Sequence, residues 1–137
     1  MKIKTINWIT VVVILLQFLP GLLIFVSPDM ERELITQSFG KEITNEDALQ
    51  ITRTWFMVFP FIGLGIASMV MGMNSIKDEE VARKLCFSVA IFMALFALPD
   101  VINHFTSLFA QPIPLIVINY ACVGLLIYGS KNGTVQA

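Results

Sequence analysis

Charge is what this 137-residue chain has least of. Asp, Glu, Lys and Arg make up 14% of it, about half the share usual in a soluble domain. With 56% of residues hydrophobic, that scarcity argues against a soluble monomer, a disordered chain and a nucleic-acid-binding module. The net charge of −1 comes from scattered groups, and no basic cluster offers an anionic-lipid anchor. Cysteine is scarce as well. Cys86 and Cys122 are present, but neither belongs to a CxxC motif, which excludes a disulfide framework and a thiol redox motif. Both fall in apolar runs, where buried, inert thiols are expected. One histidine, His104, leaves too few ligands for a metal centre. No glycine-rich phosphate loop and no CxxCH haem attachment occurs. Ser68 and Ser88 lie toward the opposite ends of their spans from His104, and Ser107 lacks nucleophile-elbow glycines, so no Ser-His-Asp arrangement is expected. No catalytic residue and no metal ligand emerges, and the reading leans away from an enzyme.

The few charges are unevenly placed. Residues 5–28, 54–76, 85–99 and 101–130 carry none. A bilayer-crossing helix needs about 20 mostly apolar residues. Gln111, Pro112 and Pro114 split the last stretch, and Asp100 must be tolerated inside the third. The expected fold is an all-α membrane protein, a four-transmembrane-helix bundle forming one domain over residues 1–137, with spans at about 7–26, 54–73, 84–105 and 113–129. The first apolar run is longer than a signal-peptide core and no small-x-small cleavage site follows it, so it is read as a retained helix.

An even number of spans puts both termini and the middle loop on one side. That side holds Lys2, Lys4, Lys77, Arg83, Lys84 and Lys131, six in all; the other holds Arg32, Lys41 and Arg53, three. The excess predicts cytoplasmic termini and an outer loop at 27–50. Within that loop Ser27-Pro28-Asp29 reads as an N-cap followed by proline at the first helical position. Met30, Leu34 and Ile35 fall on one face, and Phe39-Gly40 supplies a stop. A short amphipathic outer helix at about 28–38 is expected. Thr44-x-x-Asp47 resembles a capping box that starts the second long helix near 45. Gly65, Ser68 and Gly72 give that helix small residues, which let backbones approach closely. Packing inside the bundle explains them best, and a membrane-protein partner or a homo-oligomer is the alternative. Asp78-Glu79-Glu80 followed by Arg83-Lys84 reads as helix support.

Pro20, Pro60 and Pro99 each lie six residues from the outer end of their span, about 9 Å deep. Each deprives a carbonyl of its hydrogen bond, those of Leu16, Phe56 and Leu95, and in hydrocarbon such groups need another partner. Asp100, Asn103 and Asn119 cluster near the same depth, Gln17 slightly deeper, Arg53 and His104 nearer the rim. Below Gln17 and Asn119 the spans read as apolar. Asp100, Asn103 and His104 share a helix face. An uncompensated charge in lipid costs several kcal/mol, so Asp100 is expected to pair with Arg53 first and His104 second. Two outcomes are open. One is an ion-pair network joining the second and third spans. The other is an outward-opening cavity between kinked helices, with Arg53, Asp100, Asn103, His104, Asn119 and Gln17 as polar groups and Trp55, Phe56, Phe59 and Tyr120 as apolar walls.

The layout resembles small bacterial four-helix membrane proteins of the DoxX-like superfamily and neighbouring families. The shared features are Pro28 and Phe39-Gly40 in the outer stretch, Arg53 with Gly63 and Gly65 in the second span, and Arg83 and His104 bounding the third. Phe59-Pro60 stands where such families often carry small residues. The resemblance implies a bacterial cytoplasmic membrane. Since some DoxX-like proteins are linked with quinone-coupled oxidoreductases, it also implies a quinone- or lipid-like ligand in the outer cavity. A subunit accessory to a larger membrane complex and a proton-coupled transporter are the alternative expectations.

Overall fold

The computed structural model describes residues 1–25, 27–39, 42–106 and 113–135. Apart from one isolated bridge between Lys2 and Thr134, those residues form helices and their connections. In chain order they are α1 (Ile3–Phe18), a 3-10 segment (Leu19–Phe25), α2 (Pro28–Phe39), α3 (Glu46–Gly72), a 3-10 turn (Met73–Ser75), α4 (Glu79–Thr106) and α5 (Ile113–Asn132).

Helix α1 departs from the expected 7–26. It starts at Ile3 because the chain ahead of it is tied down: the Ile3 amide donates to the Thr134 carbonyl at 3.0 Å. Its α-geometry stops at Phe18 and the chain tightens to 3-10 from Leu19 onward. The change falls beside Pro20, which has no amide hydrogen to continue the ladder. At 16 residues, α1 alone reaches about 24 Å. Helices α3, α4 and α5 are long and apolar enough by themselves to cross a bilayer. Both α3 and α4 continue through their prolines, Pro60 and Pro99.

The helix starts are chemically specified. Ser27 Oγ accepts from the Met30 amide at 3.1 Å, as the N-cap reading of α2 requires. The cap of α3 is Asn45, one residue later than expected, with its Oδ1 accepting from the Ala48 amide at 2.9 Å. Asp78 caps α4 through the Val81 amide at 3.0 Å. The following charges pair at i,i+4, Glu79 with Arg83 at 2.7 Å and Glu80 with Lys84 at 2.6 Å. The expected stop at Gly40, and Ser107, Gln111 and Pro112, lie outside the described residues.

Helix α1 is the centre of the bundle. It packs against α3 on one side and α5 on the other, and α4 packs mainly on α5. The core follows the seams: Ile6, Val11 and Ile14 on α1, Val70 on α3, Cys86 on α4 and Leu126 on α5 are fully enclosed. Two close approaches fix the spacing. A Cβ on Gly63 of α3 would collide with the Phe18 ring, and one on Gly129 of α5 would meet Ile6 Cδ1 at 2.6 Å. Phe18 also stacks obliquely on Phe96 of α4, with ring centroids 5.3 Å apart, so this one ring stands between α3 and α4. The outside is apolar. Leu16, Phe61, Met69, Leu95 and Phe105 are all exposed, Phe105 at 81%.

Candidate functional site

Both chain termini and the α3–α4 turn lie at one end of the bundle, here the terminal end. The Asn7 amide nitrogen donates to Asn74 Oδ1 at 2.8 Å, and Arg83 Nε donates to the Gly133 carbonyl at 2.9 Å. These contacts set the registers of the helices. Asn7 with Asn74 and Gly21 with Pro60 align α1 and α3. Ile6 with Gly129 and Thr10 with Cys122 align α1 and α5. Arg83 with Gly133 and Cys86 with Gly129 align α4 and α5.

Extending those registers away from the termini brings Gln17, Asn119 and the buried Ala97 to one level. Asp100 follows one helical turn further out, about 5 Å, and Asn103 and His104 lie about a turn beyond it. Asp100 continues the buried stripe of α4, Ala82, Cys86, Ala90, Met93 and Ala97, into the part of the bundle that opens. Asp100 and Asn103 are half-buried and His104 is exposed. The registers thus spread Gln17, Asn119, Asp100 and Asn103 over about two helical turns, with Gln17 beside Asn119, where one depth was expected for Asn119, Asp100 and Asn103.

Arg53 does not belong to this group. It was expected to neutralise Asp100; instead its guanidinium grips Glu31 of α2 with two hydrogen bonds, from Nε to Oε1 and from Nη2 to Oε2 at 3.1 Å. The reason is position: α3 lies across α1 from the α4–α5 pair, with Phe18 between. Glu31 and Ile35 share the buried face of α2 at i,i+4, whereas Met30, expected on that face, is exposed. His104 is not the partner of Asp100 either; its ring meets the Phe105 ring edge-on at 5.7 Å. Among the described residues Asp100 has neither an ion pair nor a hydrogen bond.

The aromatic residues divide likewise. Trp55 and Phe59 pair on the outside of α3, ring centroids 5.7 Å apart, while Tyr120 is exposed on α5. A cleft of about 450 Å³ along α3 is lined by Glu46, Leu49, Gln50, Arg53, Thr54 and Met57; Asp100, Asn103 and His104 are not part of it. The small residues also differ from expectation. Inside packing uses Gly63 and Ala67. A Cβ on Gly65 or Gly72 would meet nothing within 4 Å, and Ser68 is exposed, its hydroxyl donating to the Leu64 carbonyl at 2.8 Å.

Among the described residues, the buried side-chain polar atoms without a protein partner are Asn7 Oδ1, Gln17 Nε2 and Asn119 Oδ1. Each such atom costs roughly 1–3 kcal/mol if left unsatisfied, so three are a large liability for a small domain. Asn7 and Gln17 belong to α1 and Asn119 to α5, with Asn7 turned toward Asn74 of the α3–α4 turn. Between them Thr10 is fully buried; its hydroxyl donates to the Ile6 carbonyl at 2.9 Å and takes a contact from Cys122 Sγ at 3.4 Å. The seam therefore stays polar below Gln17 and Asn119, where an apolar stretch was expected. The expected span begins at residue 7, which puts Asn7 and Thr10 in its first turn. With α1 beginning at Ile3 they are core. Their spacing with Gln17, i, i+3 and i+10, was the available signal. Glu31 had a signal too, its i,i+4 spacing to Ile35.

Compared with family models, with curated proteins and with solved structures, the chain matches none.

Proposed function

We propose that this chain is an integral membrane protein whose outer half binds the polar head of a lipophilic small molecule, quinone- or lipid-like. The supporting observation is a run of groups between α1, α4 and α5 without a partner among the described residues: Gln17 Nε2 and Asn119 Oδ1 at one level, and the Asp100 carboxylate about one turn further out. Intramembrane ionisable residues are functional candidates, and a hydroxyl-bearing head, such as the reduced (quinol) form of a quinone, can accept from Gln17 and donate to Asn119 and Asp100. Asn103 and His104 line the approach from the outer surface. Arg53 holds α2 over that end of the bundle instead of touching the head. Trp55, Phe59 and Tyr120 are exposed apolar flanks at which an alkyl or isoprenoid tail can lie. The DoxX-like pattern of Arg53, Gly63, Gly65, Arg83 and His104 argues for the quinone end of this range.

The exposed apolar surface of α3, α4 and α5 supports placement in a bilayer, and the six basic residues at the terminal end support cytoplasmic termini in a bacterial inner membrane. The test is thermal unfolding of purified wild type and Asp100→Asn, each with and without native lipid extract and quinones. A component that raises the melting temperature of wild type alone identifies the ligand class. No shift with any component, in either protein, overturns the reading.

A second reading rests on a separate observation. The Gly65, Ser68 and Gly72 face of α3 is open, and small residues admit a partner helix closely. In that reading the chain is an accessory subunit of a larger membrane complex. Gly65→Leu and Gly72→Leu release the partner in mild detergent if it is right. A homogeneous monomer in several detergents counts against it.

A further inference from the structure

We infer that the α1–α5 seam holds a file of internal water that connects Asp100 with the terminal end of the bundle, and that protons pass along it. The inference takes the bilayer placement from the reading above and requires no ligand. It starts from the distribution of unsatisfied groups. The partnerless buried atoms among the described residues are on Asn7 and Gln17 of α1 and on Asn119 of α5, with Asn7 beside the α3–α4 turn through Asn74. Two of the three belong to side chains more than nine-tenths buried, Asn7 at 0% and Asn119 at 5% exposure. Buried polar groups of this kind take internal water, each molecule making about three hydrogen bonds.

The spacing suits a file. On α1 the polar positions are 7, 10 and 17, and on α5 they are 119 and 122, so both stripes repeat at helical intervals. Asn7 to Thr10 is about one turn. Thr10 touches Cys122, Cys122 to Asn119 is about one turn along α5, and Gln17 lies at the level of Asn119 without bonding to it. Asn119 to Asp100 is about one further turn by the α4–α5 register. A turn is about 5 Å, which one bridging water spans with hydrogen bonds of about 2.8 Å on either side. Asn74 receives the Asn7 amide at the terminal end and is itself half-buried, so the file reaches the surface there. Asn103 and His104 carry it from Asp100 to the opposite surface.

The amides and Thr10 orient water; Asp100 is the group that binds the proton. A proton arriving from one surface forms an O–H bond on the Asp100 carboxylate. It then leaves to the next water, which passes a different proton onward, so no other bond changes. The groups around Asp100 leave that role to it. On α4 itself His104 is the neighbouring titratable group, α5 offers Tyr120 beside Asn119, and α1 carries no charge between Lys4 and its end at Phe18. Across Phe18, Arg53 is occupied by Glu31.

Two measurements on the full chain in phospholipid vesicles test this. Cys122 sits in the seam, so its S–H stretching band in a Cys86→Ala background reports water directly. On transfer to D2O the band should move to S–D while the helices stay intact. In a Gln17→Leu, Asn119→Leu chain the exchange should slow about tenfold or more. An S–H band that persists in the parent chain for hours overturns the file. In vesicles with an entrapped pH dye and an imposed potential, the wild type should carry protons. Asp100→Asn should lower the flux about a hundredfold, the scale of a positioned proton-transfer group, and Asp100→Glu should retain it. Flux equal to that of protein-free vesicles, or undiminished in Asp100→Asn, overturns the proton path. If lipid extract and quinones leave the melting temperature unmoved while flux persists, only the ligand reading fails. A chain that does not float with the vesicles removes both.

Discussion

Asn7 and Asn119 are buried amides on facing helices of one seam, near its opposite ends, and they are satisfied to different degrees. Asn7 donates to Asn74, beside a backbone joined across the termini and an arginine on the Gly133 carbonyl. Asn119 has no protein partner at Oδ1, and the nearby Asp100 has none among the described residues. The terminal end joins most of its polar groups across helices, with Asn7 Oδ1 left over. The other end leaves Gln17 Nε2, Asn119 Oδ1 and Asp100 without a partner among the described residues, and the proposed ligand site rests on that difference.

That contrast can be broken at several strengths. The largest effect is expected from Gly129→Leu at the terminal end, where even a Cβ meets Ile6 at 2.6 Å. A loss of about 3 kcal/mol or more is expected from overpacking. Gly124→Leu, whose Cβ meets nothing within 4 Å, should stay within about 0.5 kcal/mol. Unfolding in mixed micelles compares the two, and equal midpoints would show that the terminal end is not tightly packed.

Next in size is Asn7→Leu. It strips Asn74 of its donor and should cost about 1–2 kcal/mol. Asn119→Leu should move stability the other way or not at all, by at most about 1 kcal/mol, because replacing an unsatisfied amide by an apolar group leaves no orphan behind. The sign of the difference between these two asparagine variants is the sharper readout. A destabilised Asn119→Leu would mean that Oδ1 has a structural partner.

The smallest effect concerns α2. Arg53→Ala should leave the midpoint of the bundle where it is while speeding proteolytic nicking within residues 27–39, because Glu31 loses both its hydrogen bonds. Arg53→Lys should not restore protection, since an ammonium cannot reproduce the two-pronged contact. Unchanged nicking in both variants would detach the salt bridge from the docking of α2.

Much of this architecture was legible in the residues. The uncharged runs placed α3, α4 and α5, Ser27 placed the start of α2, and the acid-then-base order at 79–84 placed the two pairs on α4. What could not be read was which helices are neighbours. Hydropathy is the same on every face of a lipid-exposed helix, so nothing in it says that α1 lies between α3 and the α4–α5 pair. The pairing of Arg53 with Asp100 rested on α3 and α4 being adjacent, and it went with that assumption. The small-residue stripe erred for a related reason: Gly63 and Gly65 look alike in sequence, and only the Phe18 ring separates the packed face from the open one. The order of the polar residues along the bundle was easier to read, because depth along a helix depends on residue count, but the count alone did not separate Asn119, Asp100 and Asn103 by the turns the registers place between them.

The 3-10 segment after α1 has a consequence for length. Seven residues wound as 3-10 extend about 14 Å, and the same residues wound as α extend about 10 Å. Helix α1, about 24 Å of α-helix, therefore ends in a strut that would change length by about 3–4 Å on rewinding to α. Bilayers of different composition differ in hydrocarbon thickness by a similar amount. In the proposed bilayer placement, the central helix of the bundle could thus adjust to the thickness of the membrane.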